Sequence, residues 1–347
     1  MAPTASSISP APIRPSSSSN PRPCQESKTL GRGIYVPVLT FFNQDESLDL
    51  VTFEQHVAYV ASSGVAGIVV LGSTGEAVSL SEQERSTVSG TCRKAMDDAG
   101  QTSMPLISGA GGHSVLMAKS SLKAAHEAGA SHALVLPSSY YPNQLGPVGA
   151  LEFYRSIADD SPLPILIYSY PGVSSGINLS SEVIRTLSEH PNIRGVKHTD
   201  HDIGKMARNC ALNRASSSTT ATTDASEAFF VLGGASDYLT GALAVGAHGT
   251  ITGMGNMAPR SVVEIQRLWD SAKYAEALKL QHVVSLAEWE LGKGGVPIHK
   301  AIVDKARGYG GNPRSPLQPS SESTIQEAWK GFSQLIKLEK SLESVAF

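Results

Sequence analysis

From Gly33 onward the sequence repeats one pattern eight times: a short apolar run, a glycine-containing or polar link, then a stretch with helical spacing. The apolar runs fall at 33–42, 67–72, 105–110, 132–137, 164–169, 193–199, 229–233 and 249–253. They are too continuously apolar to alternate in and out of water, which predicts parallel strands covered on both faces. Helical spacing fills 50–63, 81–98, 114–128, 147–159, 180–189, a stretch from Ile203, 236–246 and 259–270. Ser81-Glu82-Gln83-Glu84 has the form of a capping box. Gly64, Gly129 and Gly246 each stand just before a strand, where a left-handed residue ends a helix and drops the chain into the sheet. Eight units predict an α/β protein, a (β/α)8 TIM barrel over 31–271; an open doubly wound sheet is the alternative.

The chain has 347 residues, enough for a barrel of about 250 residues with extensions. Residues 1–30 are rich in Ser, Pro and Ala and cannot bury enough apolar surface to order themselves, so a disordered tail is expected. Arg14, Arg22, Lys28 and Arg32 against Glu26 faintly resemble an organellar transit peptide, but the prolines oppose the amphipathic helix it would need. The cytoplasm is the expected location, with the mitochondrion as the alternative. The stretch 215–228 is low in complexity and reads as an insertion in a helix-to-strand loop, on the barrel face remote from chemistry. Residues 272–347 are left as a C-terminal helical segment of roughly three helices.

A formal charge of −3 and the lack of a basic block argue against nucleic acid as a partner. Cys24, Cys92 and Cys210 are scattered and odd in number, which is neither a disulfide framework nor a zinc spacing. No apolar stretch reaches the roughly 18–20 residues of a membrane helix.

Barrel sites gather where strands end, so those ends carry the functional reading. The sixth run ends on Lys197 and the fifth on Tyr168: an amine and a phenol on successive strands, suited to carbonyl attack with a proton shuttle alongside. A strand can equally end on a solvated lysine. The second run leads into Gly72-Ser73-Thr74-Gly75-Glu76, where backbone N–H groups and two hydroxyls form an anion cradle. It lacks the lysine of a phosphate-binding loop, and a carboxylate fits it better. Tyr140 and Tyr141 after the fourth run read as packing or interface residues. Small residues at 249–253 would admit a ligand close to backbone.

GSTGE at 72–76, SYYP at 139–142, YSYP at 168–171 and GVK at 195–197 together resemble the pyruvate-dependent class I aldolases. That superfamily includes dihydrodipicolinate synthase, N-acetylneuraminate lyase and 4-hydroxy-2-oxoglutarate aldolase. The resemblance spans about 33–340, and PNIRGVKHTD with the SYYP loop is most similar to 4-hydroxy-2-oxoglutarate and 2-keto-3-deoxy sugar acid aldolases. It implies that Lys197 forms a Schiff base with a 2-oxo acid. It further implies that Tyr168, Ser73 and Tyr141 relay protons, Tyr141 being lent across a dimer interface. By the same resemblance Ser73 and Thr74 bind the substrate carboxylate, Ile251 presents a backbone carbonyl to the pyruvyl group, and Gly233 lines the pocket. Glu76 is expected to hold its loop rather than touch substrate. A homodimer or homotetramer follows, with a small 2-oxo acid as partner and neither metal nor other cofactor.

The chain departs from that pattern after Tyr170-Pro171. Dihydrodipicolinate synthase carries an arginine there; Gly172-Val173-Ser174-Ser175-Gly176 is longer and has no cation. A neutral loop cannot replace a guanidinium as a carboxylate clamp. Cleavage of a 4-hydroxy-2-oxo acid is therefore the leading expectation. The alternatives are dihydrodipicolinate-type condensation on the same imine and a non-catalytic pyruvate-binding homologue. His198-Thr199-Asp200-His201-Asp202 and His113 leave open a metal, acid–base or substrate-tail role, against capping and packing roles.

Overall fold

A computed structural model describes residues 29–215 and 229–344 of the chain. Nearly all of the expected tail (1–30) and of the 215–228 insertion lies outside them. Eight parallel strands close into a barrel in sequence order. They are β1 (Gly33–Pro37), β2 (Gly67–Val70), β3 (Leu106–Gly109), β4 (His132–Val135), β5 (Ile165–Ser169), β6 (Ile193–His198), β7 (Phe230–Gly233) and β8 (Gly249–Ile251). Helices α1 (Leu50–Ala61), α2 (Glu82–Asp98), α3 (Val115–Glu127), α4 (Pro142–Asp160), α5 (Ser181–Ser188), α6 (Ile203–Ala215), α7 (Leu239–Ala244) and α8 (Pro259–Asp270) follow the strands in turn. The expected TIM barrel is the fold, and α9 (Tyr274–Arg307) and α10 (Glu322–Leu342) form the C-terminal extension.

The continuous apolar runs are explained by two cores. Tyr35, Val69, Ile107, Leu134, Leu166, Phe230, Leu232 and Ile251 fill the barrel interior. Their neighbours Val36, Ile68 and Leu106 pack outward beneath helices, as do Ala133, Ile165, Val196 and Val231 further round. Side chains still alternate along each strand, but both directions lead to apolar surroundings. The capping box forms as expected: Glu84 N–H donates to Ser81 Oγ at 3.2 Å, and Ser81 N–H to Glu84 Oε2 at 2.8 Å. Gly64, Gly129 and Gly246 take φ of 78°, 91° and 99°.

Several boundaries differ from the sequence reading. β1 stops at Pro37: Val38 N–H still bonds the Val69 carbonyl at 2.9 Å, but Leu39, Phe41 and Phe42 are buried beyond the ladder, in the outer core. After Ile251 the chain coils into a short 3-10 turn, Gly253–Asn256, and so leaves the sheet early. A separate short turn from Pro142 precedes the expected helix, which starts at 147 after the chain breaks from helical geometry at Gly146, whose φ is 56°. Among the described residues the extension has three helical segments, because α9 breaks from helical geometry at Gly295 (φ 60°), just before Pro297, and α10 follows. That extension is part of the domain: Phe332, Leu335 and Ile336 of α10 complete the outer core. The buried Glu339 carboxylate accepts N–H bonds from Arg260 and Ser261 in the first turn of α8, where orphan donors need partners.

Candidate active site

Register brings the site together. Tyr168 of β5 pairs with Lys197 of β6, and Lys197 pairs with Leu232 of β7. Tyr168 and Leu232 belong to the interior cluster, so Lys197, level with both, also points into the barrel. The Lys197 ammonium nitrogen donates to the Tyr168 hydroxyl at 3.1 Å and lies 4.2 Å from the centroid of its ring. Only 5 % of Lys197 is exposed. Two residues below it, Gly195 has no side chain for a steric reason: a Cβ there would lie 2.4 Å from the Phe230 carbonyl oxygen and 2.9 Å from the Leu166 side chain. The glycine of GVK leaves room for the interior packing on which the lysine rests. No carboxylate forms an ion pair with Lys197 among the described residues.

The anion cradle is held from outside. The Thr40 hydroxyl donates to the Gly75 carbonyl at 2.8 Å. Glu76, in the left-handed region at φ 52°, turns its carboxylate away from the mouth to pair with the buried Lys300 of α9 at 2.6 Å. It also accepts the Arg314 N–H at 2.9 Å. Burial pulls the Lys300 ammonium below its usual range, against the pull of the Glu76 pair. Glu76 thus holds the loop, and Ser73 and Thr74 are left at the surface or half-buried at the strand end. Ile251 closes β8 with its side chain in the interior. Gly233 faces the other way from Leu232: a Cβ on it would meet Thr250 Oγ1 at 3.1 Å, so it can line the pocket only through its backbone.

Tyr141 is 65 % exposed and packs edge-on against Tyr140 at 4.9 Å between ring centroids. Hydrogen bonds among the described residues join Tyr168 to Lys197 but do not link Tyr168, Ser73 and Tyr141 into a chain. His113 is exposed, its ring 6.0 Å from that of Tyr140.

The histidine and aspartates after Lys197 build a support on the outside of the barrel. Asn209 donates to His198 Nε2 at 3.0 Å, so the His198 proton sits on Nδ1 and is directed at Asp200, 3.1 Å away. Asp200 also accepts from Ser169 at 2.5 Å and pairs with the buried Lys205 at 2.8 Å. Burial alone would raise the Asp200 carboxyl; the bonds from His198, Lys205 and Ser169 outweigh it and hold it below the usual carboxylate range. Asp202 caps α6 through the Lys205 N–H at 2.8 Å. His198 therefore points away from the interior, which removes it as a contact for substrate. Nothing in the sequence announces the His198–Asp200–Lys205 arrangement; its one signal, the polar run after Lys197, reads equally as metal, acid–base, substrate-tail or capping residues. Among the described residues no three His, Cys, Asp or Glu side chains gather as metal ligands would.

The residues 31–335 match the model of the dihydrodipicolinate synthetase family. The chain belongs to this family. It is 42% identical over 315 residues to an Emericella nidulans protein named "Probable 4-hydroxy-2-oxoglutarate aldolase, mitochondrial", covering 90% of this chain and 97% of that one. It is 35% identical to the L-threo-3-deoxy-hexylosonate aldolase of Aspergillus niger, with 90% and 98% covered. Among solved structures, a dihydrodipicolinate synthase family protein from Coccidioides immitis superposes with a TM-score of 0.79 at 33% identity, covering 90% of this chain and 98% of that one. Membership of the dihydrodipicolinate synthetase family accounts for the barrel and for the extension packed against it. No described helix is long and apolar enough to cross a membrane.

Proposed function

We propose that this protein is a Schiff-base lyase that cleaves a 4-hydroxy-2-oxo acid, such as 4-hydroxy-2-oxoglutarate or a 2-keto-3-deoxy sugar acid, to pyruvate and an aldehyde. The observation that carries the reading is a buried amine without a carboxylate partner, 3.1 Å from a phenol, at the C-terminal end of a barrel. In this reading the neutral Lys197 amine attacks the C2 carbonyl, and loss of water from the carbinolamine leaves a protonated imine. Tyr168 gives its proton to the departing carbinolamine hydroxyl, which leaves as water, and the resulting phenolate takes the proton from the C4 hydroxyl. The C3–C4 bond breaks, its electron pair moves into the imine to form an enamine, and the aldehyde departs. Protonation of the enamine at C3 and addition of water release pyruvate and return the amine. The imine is itself the electron sink, so the chemistry calls for no metal or other cofactor.

Ser73 and Thr74 would receive the substrate carboxylate in the cradle that Thr40 and Glu76 hold, with Ile251 and Gly233 forming the opposite wall. Tyr141 would complete the relay from a second copy of the chain, which its exposure beside Tyr140 supports. That makes the working form at least a dimer, and a homotetramer is compatible. The names of the fungal relatives support the substrate class, and the cation-free loop Gly172–Gly176 speaks against the dihydrodipicolinate reaction. Two relatives carry "mitochondrial" in their names; fractionation of cells decides between that compartment and the cytoplasm for this chain.

Borohydride reduction in the presence of pyruvate tests the reading. A covalent adduct is expected on Lys197 and no other lysine; an unmodified Lys197 under conditions that trap a related aldolase sinks it.

A further inference from the structure

α9 grips the turn after β7 along one of its faces. Gln281 donates to the Ser236 carbonyl at 2.7 Å and accepts the Thr240 N–H at 2.9 Å. Ser285 donates to the Asp237 carbonyl at 2.8 Å. Glu288 accepts the Ser236 N–H at 3.1 Å and also bonds the Ser236 hydroxyl. Positions 281, 285 and 288 follow helical spacing, so the three side chains form one row. The Thr252 hydroxyl just past β8 lies close enough to Glu288 to favour its ionised form. The gripped turn has a further connection. Its Tyr238 hydroxyl accepts the Gly234 N–H at 2.7 Å and donates at 2.6 Å to the carbonyl of His198, the residue that follows Lys197.

We propose that Glu288 is a positioning residue for the reaction at Lys197: it locks the turn after β7 and, through Tyr238 of that turn, the end of β6 that carries the lysine. This rests on the lyase reading above and adds to it a residue of the C-terminal extension that touches no substrate. Two donors of Ser236 converge on the carboxylate, its N–H and its hydroxyl. An ionised carboxylate accepts from both, whereas a protonated one carries a proton that must itself find an acceptor.

The protonation state is poised to change. Burial raises the Glu288 carboxyl to about 7, Asp237 adds to the rise, and the bonds from Ser236 and the nearby Thr252 hydroxyl oppose it. The turn presents Asp237 and Tyr238 to it, and the end of β8 presents the neutral Thr252. One helical turn away on α9 stand Val284, Ser285, Leu291 and Gly292, none of them charged. No cation pairs with Glu288 among the described residues. The lock therefore tightens as the pH rises through neutrality.

The test compares the full-length protein with Glu288→Gln and Glu288→Ala, measuring pyruvate release from a 4-hydroxy-2-oxo acid between about pH 5 and about pH 9. The glutamine keeps one acceptor and the side-chain shape, so it guards against a simple folding failure. In the unaltered protein kcat/KM is expected to rise through about pH 7. Glu288→Gln should lie near the acid plateau and lack that rise, and Glu288→Ala should fall on the order of 10- to 100-fold below the unaltered protein at alkaline pH. Tyr238→Phe combined with Glu288→Ala should cost less than the sum of the two, because both act through one turn. A Glu288→Gln profile that follows the unaltered protein overturns the proposal, as does full additivity with Tyr238→Phe. Trapping of pyruvate on Lys197 in the unaltered protein separates the two layers. With an adduct present, an unchanged Glu288→Gln profile removes only the role of Glu288; with no adduct, both readings fall.

Discussion

Lys197 and Lys205 lie close in sequence and are buried almost equally, yet their surroundings are opposite. Lys205, on the outer side of the strands, pairs with Asp200 at 2.8 Å and donates to Asn178 at 2.6 Å and to the Leu179 carbonyl at 3.0 Å. Lys197, on the inner side, has a phenol and an aromatic face and no carboxylate. Lys300 follows the Lys205 pattern, paired with Glu76. Burying a charge is costly unless it is paired and hydrogen-bonded, so the two paired lysines hold loops in place through their carboxylate partners. The unpaired one is left free to react. The difference comes from placement: Lys197 faces in from a strand beside Tyr168, whereas Lys205 stands on α6 against the outward-facing Ser169 and His198, which meet Asp200.

This contrast breaks most sharply at the inner amine. Lys197→Met should lower turnover by about 10⁴-fold or more, since no other group can form the imine. It should also abolish borohydride trapping while the thermal transition stays within a few degrees. A Lys197→Met protein that retained measurable cleavage would place the chemistry elsewhere. Tyr168→Phe should cost on the order of 10²- to 10⁴-fold in kcat, the range of general acid–base catalysis, yet still trap pyruvate more slowly. On the outer side the signs reverse. Lys205→Met should destabilise the fold by about 3–5 kcal/mol by stranding Asp200, as read by denaturant unfolding, while the remaining folded protein still forms the adduct. Adding Asp200→Asn to Lys205→Met should recover part of that loss; a double variant no better than Lys205→Met would mean the pair is not what couples them.

Much of this was legible beforehand, for a definite reason. Eight apolar runs at regular intervals leave few ways to cover a parallel sheet, and residues that end neighbouring strands must meet at one rim, which brings Tyr168 and Lys197 together. Glu76 could be read as a loop holder, but its partner Lys300 is far away in sequence and nothing local announces it. The row Gln281, Ser285 and Glu288 is equally silent: spaced polar residues on a helix read as a solvated face until the turn after β7 is seen against them. The overlong first strand has a simpler cause. Leu39 to Phe42 are as buried as strand residues, and burial beyond the end of the ladder looks the same in sequence.

The smallest effect concerns what the lock on the inner site costs. The Glu288 carboxyl titrates at about 7 in the fold against an ordinary value of 4.5. A carboxyl raised on folding binds its proton more tightly in the native state, so its contribution to stability is full below about 4.5 and declines as the pH rises to about 7. Glu288→Gln cannot ionise and escapes that decline. Its stability relative to the unaltered protein should therefore improve between those limits, by on the order of 1 to 3 kcal/mol, and stay level above them. Urea unfolding of both proteins at pH 5 and at pH 8 measures it, and a difference that does not change with pH would contradict it. Paired with the predicted loss of alkaline activity in the same variant, the result sets the two sides of the barrel against each other. Asp200 is ionised at a profit to the fold because His198, Lys205 and Ser169 surround it, whereas Glu288 is ionised at the expense of the fold because it has only neutral donors, and the lysine without a counter-ion is the group that benefits.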